Sequence, residues 1–500
     1  MDNLTLVLIS FVVLASSHAL FFCLGRKSTK FRKHAPGPRP FPIIGNILEL
    51  GTKPHLSLAK LSQTYGPIMS LKLGNKTTIV ISSPQIAKEV LHTKDNIFPN
   101  KIIPDAFRAL DHHKFSVIWM PSSAQWRTLR KVCATNVFSC MKLDSTQALR
   151  QRKVQELMDY VKEKCKKCEA LDIGEASFIT MLNTISSILF SMDLGHYTSD
   201  ESQEFKDIIF SIAEELGRPN VVDFYPIFRV LDPQGVRARM NCYFWKLISF
   251  FDGLIEERLR LRALENESKA CNDVLDSVLE LMLEDNSQMS RHHVLHLFLA
   301  LFIAGIDTTS TTIEWAMTEL VRNREKLEKV RKELQEVLVK GEQLEESHIS
   351  KLPFLQAVVK ETLRLHPPTP FLVPQTPEVD AELCGYTVPK GAQILVNVWG
   401  MGRDSSIWTN PNEFIPERFL ENNIDYKGNN FELIPFGAGR RICPGLSLAS
   451  RTMHFVLASL INSYDWKLAD GLKEVDMDMS EKYGIVLHKA QPLKVIPIQA

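Results

Sequence analysis

One cysteine constrains this chain more than any other residue. Cys443 lies in the stretch FGAGRRICPG, residues 436–445, with two arginines before it and glycines on both sides. Cationic side chains and free backbone N–H groups favour thiolate over thiol, and the thiolate is the metal-binding form. Gly437, Gly439 and Gly445 let the backbone approach a flat ligand with no Cβ in between. Pro444 ends the turn, and LSLASRTMHFVLASLI behind it is apolar enough for a buried helix. A single thiolate on a loop that feeds a helix suits an axial haem ligand, whose electron density favours O–O cleavage. Taken alone, the cysteine reads more readily as a buried structural thiol in a glycine-rich turn.

The 500 residues are 45% hydrophobic and 23% charged, with a formal net charge of +1. That balance gives no support to nucleic-acid binding, which wants a strongly basic face. Length alone suggests about three domains, but no linker divides the chain after its N-terminus. Nine cysteines without a regular framework point to a reducing compartment. Cys165 and Cys168 form a C-K-K-C with no second pair, and the lysines suit an exposed helix. Residues 4–24 are apolar enough to span a bilayer, which takes about 20 such residues. Basic residues 26, 27, 30, 32 and 33 follow while Asp2 precedes, so the C-terminal side is expected in the cytosol. A cleaved signal peptide has only a weak small-residue site at 15–17. The expected plan is a transmembrane anchor over 1–25, a basic, proline-rich linker over 26–46 and one domain over 47–500.

Within that domain, residues 68–73 and 77–81 flank Gly74-Asn75 and predict a hairpin. WRTLRK puts Trp126 and Arg130 on one face of a helix. From 145 to 290 the pattern is helical and amphipathic, with no catalytic constellation. His292, His293 and His296 lack the glutamate of a zinc helix and suit solvated or capping roles. A helix over 290–323 would run roughly 50 Å. Residues 294–303 are apolar nearly all round, so it should be buried. AGIDTTSTT, residues 304–312, then places a glycine, an aspartate and four threonines in that helix, a conflict that sequences tolerate mostly at functional sites. The alternative is a kink with threonines bonded back to carbonyls. Residues 317–338 predict an amphipathic helix, Glu361 and Arg364 an i,i+3 pair, and GYTVPKGAQILVNVWG a hairpin turning at residues 389–391.

Phe436, Gly439, Arg441, Cys443 and Gly445 occupy the positions of F-x-x-G-x-R-x-C-x-G. This resembles the haem-binding signature of the cytochrome P-450 superfamily. Ala304, Gly305, Asp307, Thr308 and Thr309 resemble its A-G-x-D-T-T oxygen-activation motif, and Glu361, Arg364 and Arg418 its E-x-x-R and PERF segments. The resemblance covers nearly the whole chain. It implies a single, mostly α domain with a small β region, a long helix over the haem and an N-terminal transmembrane helix. The cofactor would be haem b on Cys443, held also by Phe436, Gly439, Arg441, Trp126 and Arg130. Asp307 and Thr308 would deliver protons, and Glu361, Arg364 and Arg418 would lock the segment under the cysteine loop. Gln375 departs from the family, since plant members commonly carry an arginine there that helps hold a propionate.

The implied chemistry is RH + O₂ + two electrons + two protons giving ROH and water. Electrons would come from NADPH through NADPH–cytochrome P-450 reductase, docked near Arg127, Lys131 and Arg440 at the endoplasmic reticulum membrane. PHLSLAKL, KFSVIWMP, VDFYPIF and DPQGVR resemble plant members, the geraniol 8-hydroxylase group above all. A small apolar substrate such as a monoterpenol is implied, with diterpenoids, alkaloids and phenylpropanoids as alternatives. The pocket residues implied are Phe115, Trp119, Phe302, Ala304, Phe371, Leu372 and Ile485. An electron-independent isomerase or dehydratase, or a non-catalytic scaffold, are the rival classes.

Overall fold

The computed structural model describes residues 33–197, 201–264, 273–284, 288–339 and 342–499. The expected anchor over 1–25 and the first residues of the linker lie outside them. The proline-rich remainder of that linker does not stand apart from the domain. The Ser70 N–H donates to Pro36 O at 2.7 Å, and the Lys72 N–H donates to Asn46 Oδ1 at 2.8 Å. A Cβ added at Gly37 or Gly45 would meet the Ser70 or Lys72 carbonyl oxygen at 2.0 and 1.9 Å. Only glycine permits so close an approach. The globular domain thus begins near residue 35 and not at 47.

The segment lies along β1 (Ile68–Leu73), which follows the helix α1 (Pro54–Tyr65). β1 pairs antiparallel with β2 (Lys76–Ile81) across Gly74-Asn75, the hairpin that this turn dipeptide predicts. β3 (Asn100–Lys101), β5 (Gln375–Thr376) and β8 (Gln393–Val396) complete a five-stranded sheet of order β1-β2-β8-β5-β3. Here one expectation fails. β7 (Tyr386–Val388) pairs with β6 (Ala381–Leu383) and not with β8, so no hairpin turns at 389–391. β8 instead runs parallel to β2, with Ile79 beside Ile394 and Ile81 beside Val396. Its three apolar residues are buried at the centre of the sheet, a place that local spacing does not announce. β4 (Leu171–Asp172), β12 (Lys494–Gln499) and β9 (Tyr464–Leu468) form a second small sheet, while β10 (Glu481–Lys482) and β11 (His488–Lys489) pair alone.

Helices make up the rest. α2 (Ala124–Val132) carries Trp126 and Arg130, and α3 (Gln147–Lys167), α4 (Ile173–Phe190), α5 (Glu201–Gly217), α6 (Val236–Leu264) and α7 (Val274–Leu283) fill the stretch expected to be helical. α8 (Arg291–Arg322), α9 (Arg324–Val337), α10 (Pro353–Leu365) and α11 (Leu446–Ser463) follow. α8 has 32 residues, about 48 Å at the usual rise. Ser290 and His293 close its N-terminus as a capping box, so His293 is a cap and not a ligand. The helix passes unbroken through Gly305. Its first half, from Val294 to Ile306, belongs to one hydrophobic cluster with α4 and α6. Its last turns, from Ile313 to Val321, belong to a second with α10 and α11. The polar stretch sits where one core gives way to the other.

The helix expected over 317–338 is really the end of α8 plus α9. Asn323 leaves the helical region (φ −112°, ψ 72°), and its side-chain amide donates to Glu319 O at 2.8 Å. An amide that caps the last carbonyls ends a helix even where the apolar spacing runs on.

Candidate active site

The cysteine loop is held first by its own backbone. The Cys443 N–H donates to Phe436 O at 2.9 Å, and Gly439, at φ +66°, lies against the Leu91 carbonyl, where a Cβ would fall 2.0 Å from the oxygen. Gly439 thus serves packing between segments. The two arginines before the cysteine point away from it. Arg440 pairs with Asp95 at 2.6 Å, and Arg441 donates to the carbonyls of Pro99, Ile118 and Met120 with its guanidinium 4.1 Å from the Trp126 ring. The sulfur feels instead the N–H groups of Gly445 and Leu446 and the charge of Arg130, but burial outweighs all three and pushes the thiol upward. The expected bias towards thiolate therefore does not come from the loop alone. A metal cation facing the sulfur would supply it.

A buried charge network joins α10 to the segment 402–418. Glu361 receives Arg364 Nε and Nη2, both at 2.7 Å, Arg418 Nε at 3.2 Å and the Ile415 N–H at 2.8 Å. Arg364 also donates to the carbonyls of Gly402, Pro411 and Glu413. Glu361 is 0% and Arg364 1% exposed. A buried pair is tolerable only when its remaining donors and acceptors are filled, as here. The three charged residues are brought together from α10 and from the segment 416–419.

A cavity of about 280 Å³ separates this loop from α8. Its walls include Phe436, Arg441, Cys443, Trp126, Arg130 and Leu372, and from α8 Leu301, Ala304, Gly305, Thr308, Thr309 and Thr312. Those α8 positions follow the spacing of one helix face. Phe302 and Asp307 are off it. Phe302 packs on Phe205 and Phe251. Of the seven residues proposed for the pocket, the cavity wall takes Ala304 and Leu372. Phe115 is stacked on His296 at 5.3 Å, and Trp119 lies tilted against Phe107 at 4.2 Å. Phe371 bridges to Asn397, and Ile485 packs against the larger hydrophobic cluster. None of these five reaches the wall. The i, i+3, i+4 rule would have separated Phe302 from Ala304, because two positions on a helix face nearly opposite ways.

One wall residue went unnoticed in the sequence. Lys101, on β3, lines the cavity and donates to Val373 O at 2.8 Å. Burial and the nearby Arg441 push its ammonium down to about 7. It stands directly across the strand pair from Gln375, the position where an arginine is missing. Lys101, Arg130 and Arg441 thus line one cavity, and among the described residues none of them has a carboxylate within ion-pair distance. The indole N–H of Trp126 is already given to Val117 O at 3.0 Å, so the tryptophan contributes its ring and not a donor. Three cations without an anion, beside an unpaired sulfur, fit a planar iron-bearing group that carries two carboxylates.

Thr308 and Asp307 look in different directions. Thr308 Oγ1 donates to Ala304 O at 2.8 Å and stands on the cavity wall. Asp307 turns to the opposite side, where its Oδ1 lies 2.9 Å from His488 Nε2 and its Oδ2 has no partner among the described residues. Burial, with a smaller push from Glu314, raises this carboxyl to about 7, and burial lowers His488 to about 4.

The comparisons with known proteins agree with this geometry. The family model described as Cytochrome P450 matches residues 35–496. Cytochrome P450 76T24 of Catharanthus roseus is 51% identical over 484 residues, 96% of each chain. Geraniol 8-hydroxylase of the same plant is 49% identical over 497 residues, 99% of each chain. Geranylhydroquinone 3''-hydroxylase CYP76B74 of Arnebia euchroma is 46% identical over 496 residues, 99% of this chain and 98% of that one. With the cysteine loop, the small-residue face of α8 and the cation-lined cavity between them, the chain belongs to the cytochrome P450 family, as a plant haem-thiolate monooxygenase whose electrons come from NADPH through a reductase.

Proposed function

We propose that this chain hydroxylates a small apolar terpenoid, a monoterpenol such as geraniol, at the endoplasmic reticulum membrane. The observation that carries the reading is the cavity wall opposite Cys443. Ala300 and Leu301 of α8 with Ile185, Ile188 and Leu189 of α4 make it apolar, with Thr308 and its neighbouring hydroxyls as the polar points. Such a wall suits a ligand with few hydrogen-bonding groups. Geraniol and geranylhydroquinone, in the names of two relatives, share a geranyl unit.

When bound, the haem supplies the iron at which dioxygen is activated, with Cys443 as its thiolate ligand. Arg130, Arg441 and Lys101 would hold its carboxylates. Thr308 Oγ1 would hold a proton at the cavity wall, and Asp307 would replenish it. The segment 1–25 would tether the enzyme with its catalytic domain in the cytosol. A reductase would dock on the cysteine side, where Arg127 and Lys131 are exposed on α2.

The test is a reconstitution of purified full-length protein with a plant NADPH–cytochrome P-450 reductase. Geraniol or nerol should shift the haem spin state and yield an allylic alcohol. Neither a spectral change nor product with both alcohols, against turnover of a diterpene, alkaloid or phenylpropanoid, would replace the monoterpenol reading.

A further inference from the structure

We infer that His488 is the solvent-side station through which Asp307 regains its proton, a positioning and proton-passing residue for the monooxygenase reaction. The inference rests on the reading that Asp307 replenishes Thr308, and adds the group that replenishes Asp307.

Asp307 cannot draw on solvent directly. Its side chain is 4% exposed, and its only polar contact among the described residues is His488 Nε2 at 2.9 Å. The imidazole is 18% exposed, so the path from bulk water to the buried carboxyl runs through its ring. The contact is built and not incidental. Thr311 Oγ1 and Trp315 Nε1, both on α8, donate to Leu487 O at 3.4 Å, and the Leu487 N–H donates to Pro368 O at 2.8 Å. These bonds fix the backbone one residue before His488 against the helix that carries Asp307. From α5, Phe210 stands edge-on to the imidazole at 5.3 Å and limits its rotation. Glu314 on α8 is the charged neighbour of Asp307, and Lys482, directly across the β10–β11 pair, that of His488. No arginine or lysine pairs with Asp307 among the described residues, so a proton and not a fixed cation must balance it.

Imidazole suits this place because it can accept at one nitrogen and donate at the other. A proton leaving Asp307 makes it a carboxylate. His488 Nε2–H then passes its proton to Asp307 Oδ1 while Nδ1 takes one from a hydronium ion of bulk solvent, which is left as water, so charge balances and the ring is left as its Nδ1–H tautomer. No redox step is involved.

Holoenzymes carrying His488→Gln, which keeps a donor but cannot relay, and His488→Leu, which keeps neither, test this beside Asp307→Asn. Both histidine variants should retain the carbon monoxide band and the substrate-induced spin shift. Product per NADPH should fall severalfold with a matching rise in peroxide, and the double variant His488→Gln, Asp307→Asn should be no worse than Asp307→Asn. A second readout needs no turnover. The infrared carbonyl band of protonated Asp307, assigned by its loss in Asp307→Asn, should exchange into D₂O at least tenfold more slowly in both histidine variants. If coupling falls while exchange keeps the wild-type rate, His488 only packs against the helix and the inference is overturned. It is equally overturned if both readouts match wild type while Asp307→Asn is uncoupled, and the reading of Asp307 then survives. Wild-type coupling in Asp307→Asn as well would remove that reading, and the inference with it.

Discussion

Cys443 and Thr308 face the same cavity from two walls, and the walls are held by different forces. On the side of α10, whose Leu363 lines the cavity with Cys443, buried ions from two segments meet at Glu361, whose bonds to Arg364, Arg418 and the Ile415 amide are all made. The α8 wall is fixed by apolar packing at both of its ends, and its polar middle bonds mostly to itself. Thr308 gives its hydroxyl to Ala304 O and Thr312 gives its own to Thr308 O, while Asp307 Oδ2 has no partner among the described residues. A network with every donor committed resists rearrangement. A threonine bonded back to a helix carbonyl can exchange that bond for another acceptor, because the carbonyl keeps its helical partner. The first wall therefore positions, and the second has groups free to move protons.

The largest break in this contrast is Cys443→Ala. It should abolish the red-shifted carbon monoxide band of the reduced protein, and a wild-type band would remove the ligand assignment. Next comes Glu361→Ala, which strands Arg364 at 1% exposure without its carboxylate. Loss of one partner of a buried pair costs roughly 3–5 kcal/mol. Thermal melting and haem content should both collapse, and a near-normal melting temperature would show that the carbonyl contacts of Arg364 suffice. A break in the other wall should look different. Thr308→Ala should leave the carbon monoxide band and NADPH consumption intact while product per NADPH falls severalfold and peroxide rises. Thr308→Ser should lose much less. An alanine variant as well coupled as wild type would make Thr308 a packing residue.

The smallest effect is a pH slope. Asp307 in the fold keeps its proton up to about pH 7, whereas an exposed aspartate releases it near 4, so its contribution to stability falls as pH rises through that window. His488 in the fold stays neutral down to about 4, whereas a free imidazole takes up a proton near 6.5, so its contribution rises over roughly the same range. The two slopes oppose one another in wild type. Asp307→Asn removes only the first, so between about pH 4.5 and 6.5 its melting temperature should climb with pH more steeply than that of wild type. Parallel curves would mean that Asp307 is already ionised in the fold.

Local signals along the chain carry what local physics controls. Ser290 and Asn323 bound α8 because they cap it, Gly74-Asn75 turns a hairpin, and Glu361, Arg364 and Arg418 meet as their motifs imply. What escaped depends on partners distant in the chain. β8 joins β2 across some 300 residues, and nothing in its own alternation distinguishes that from a hairpin with β7. Lys101 looks like any loop lysine until β3 pairs with β5 and sets it opposite Gln375. Phe115 and Trp119 are aromatic residues near the site in sequence pattern, but their rings pack on His296 and Phe107 respectively and not on the cavity. The thiol was misjudged for a related reason. Two arginines adjacent in sequence extend elsewhere, and Arg130 from α2 supplies the charge that they were credited with.

The way residues 35–46 lie on β1 sets where a soluble form of this enzyme can begin. A cut placed just before Lys33 removes the apolar segment and keeps Lys33 O as the acceptor of the Thr387 N–H. A cut at 47, where composition alone would place it, strips Pro36 O from the Ser70 amide and Asn46 Oδ1 from the Lys72 amide. Two donors on β1 would then have to find water on a strand whose Met69 and Leu71 are buried, and the exposed edge would invite pairing between molecules. The shorter version is thus the one more prone to aggregate, although it carries less apolar sequence.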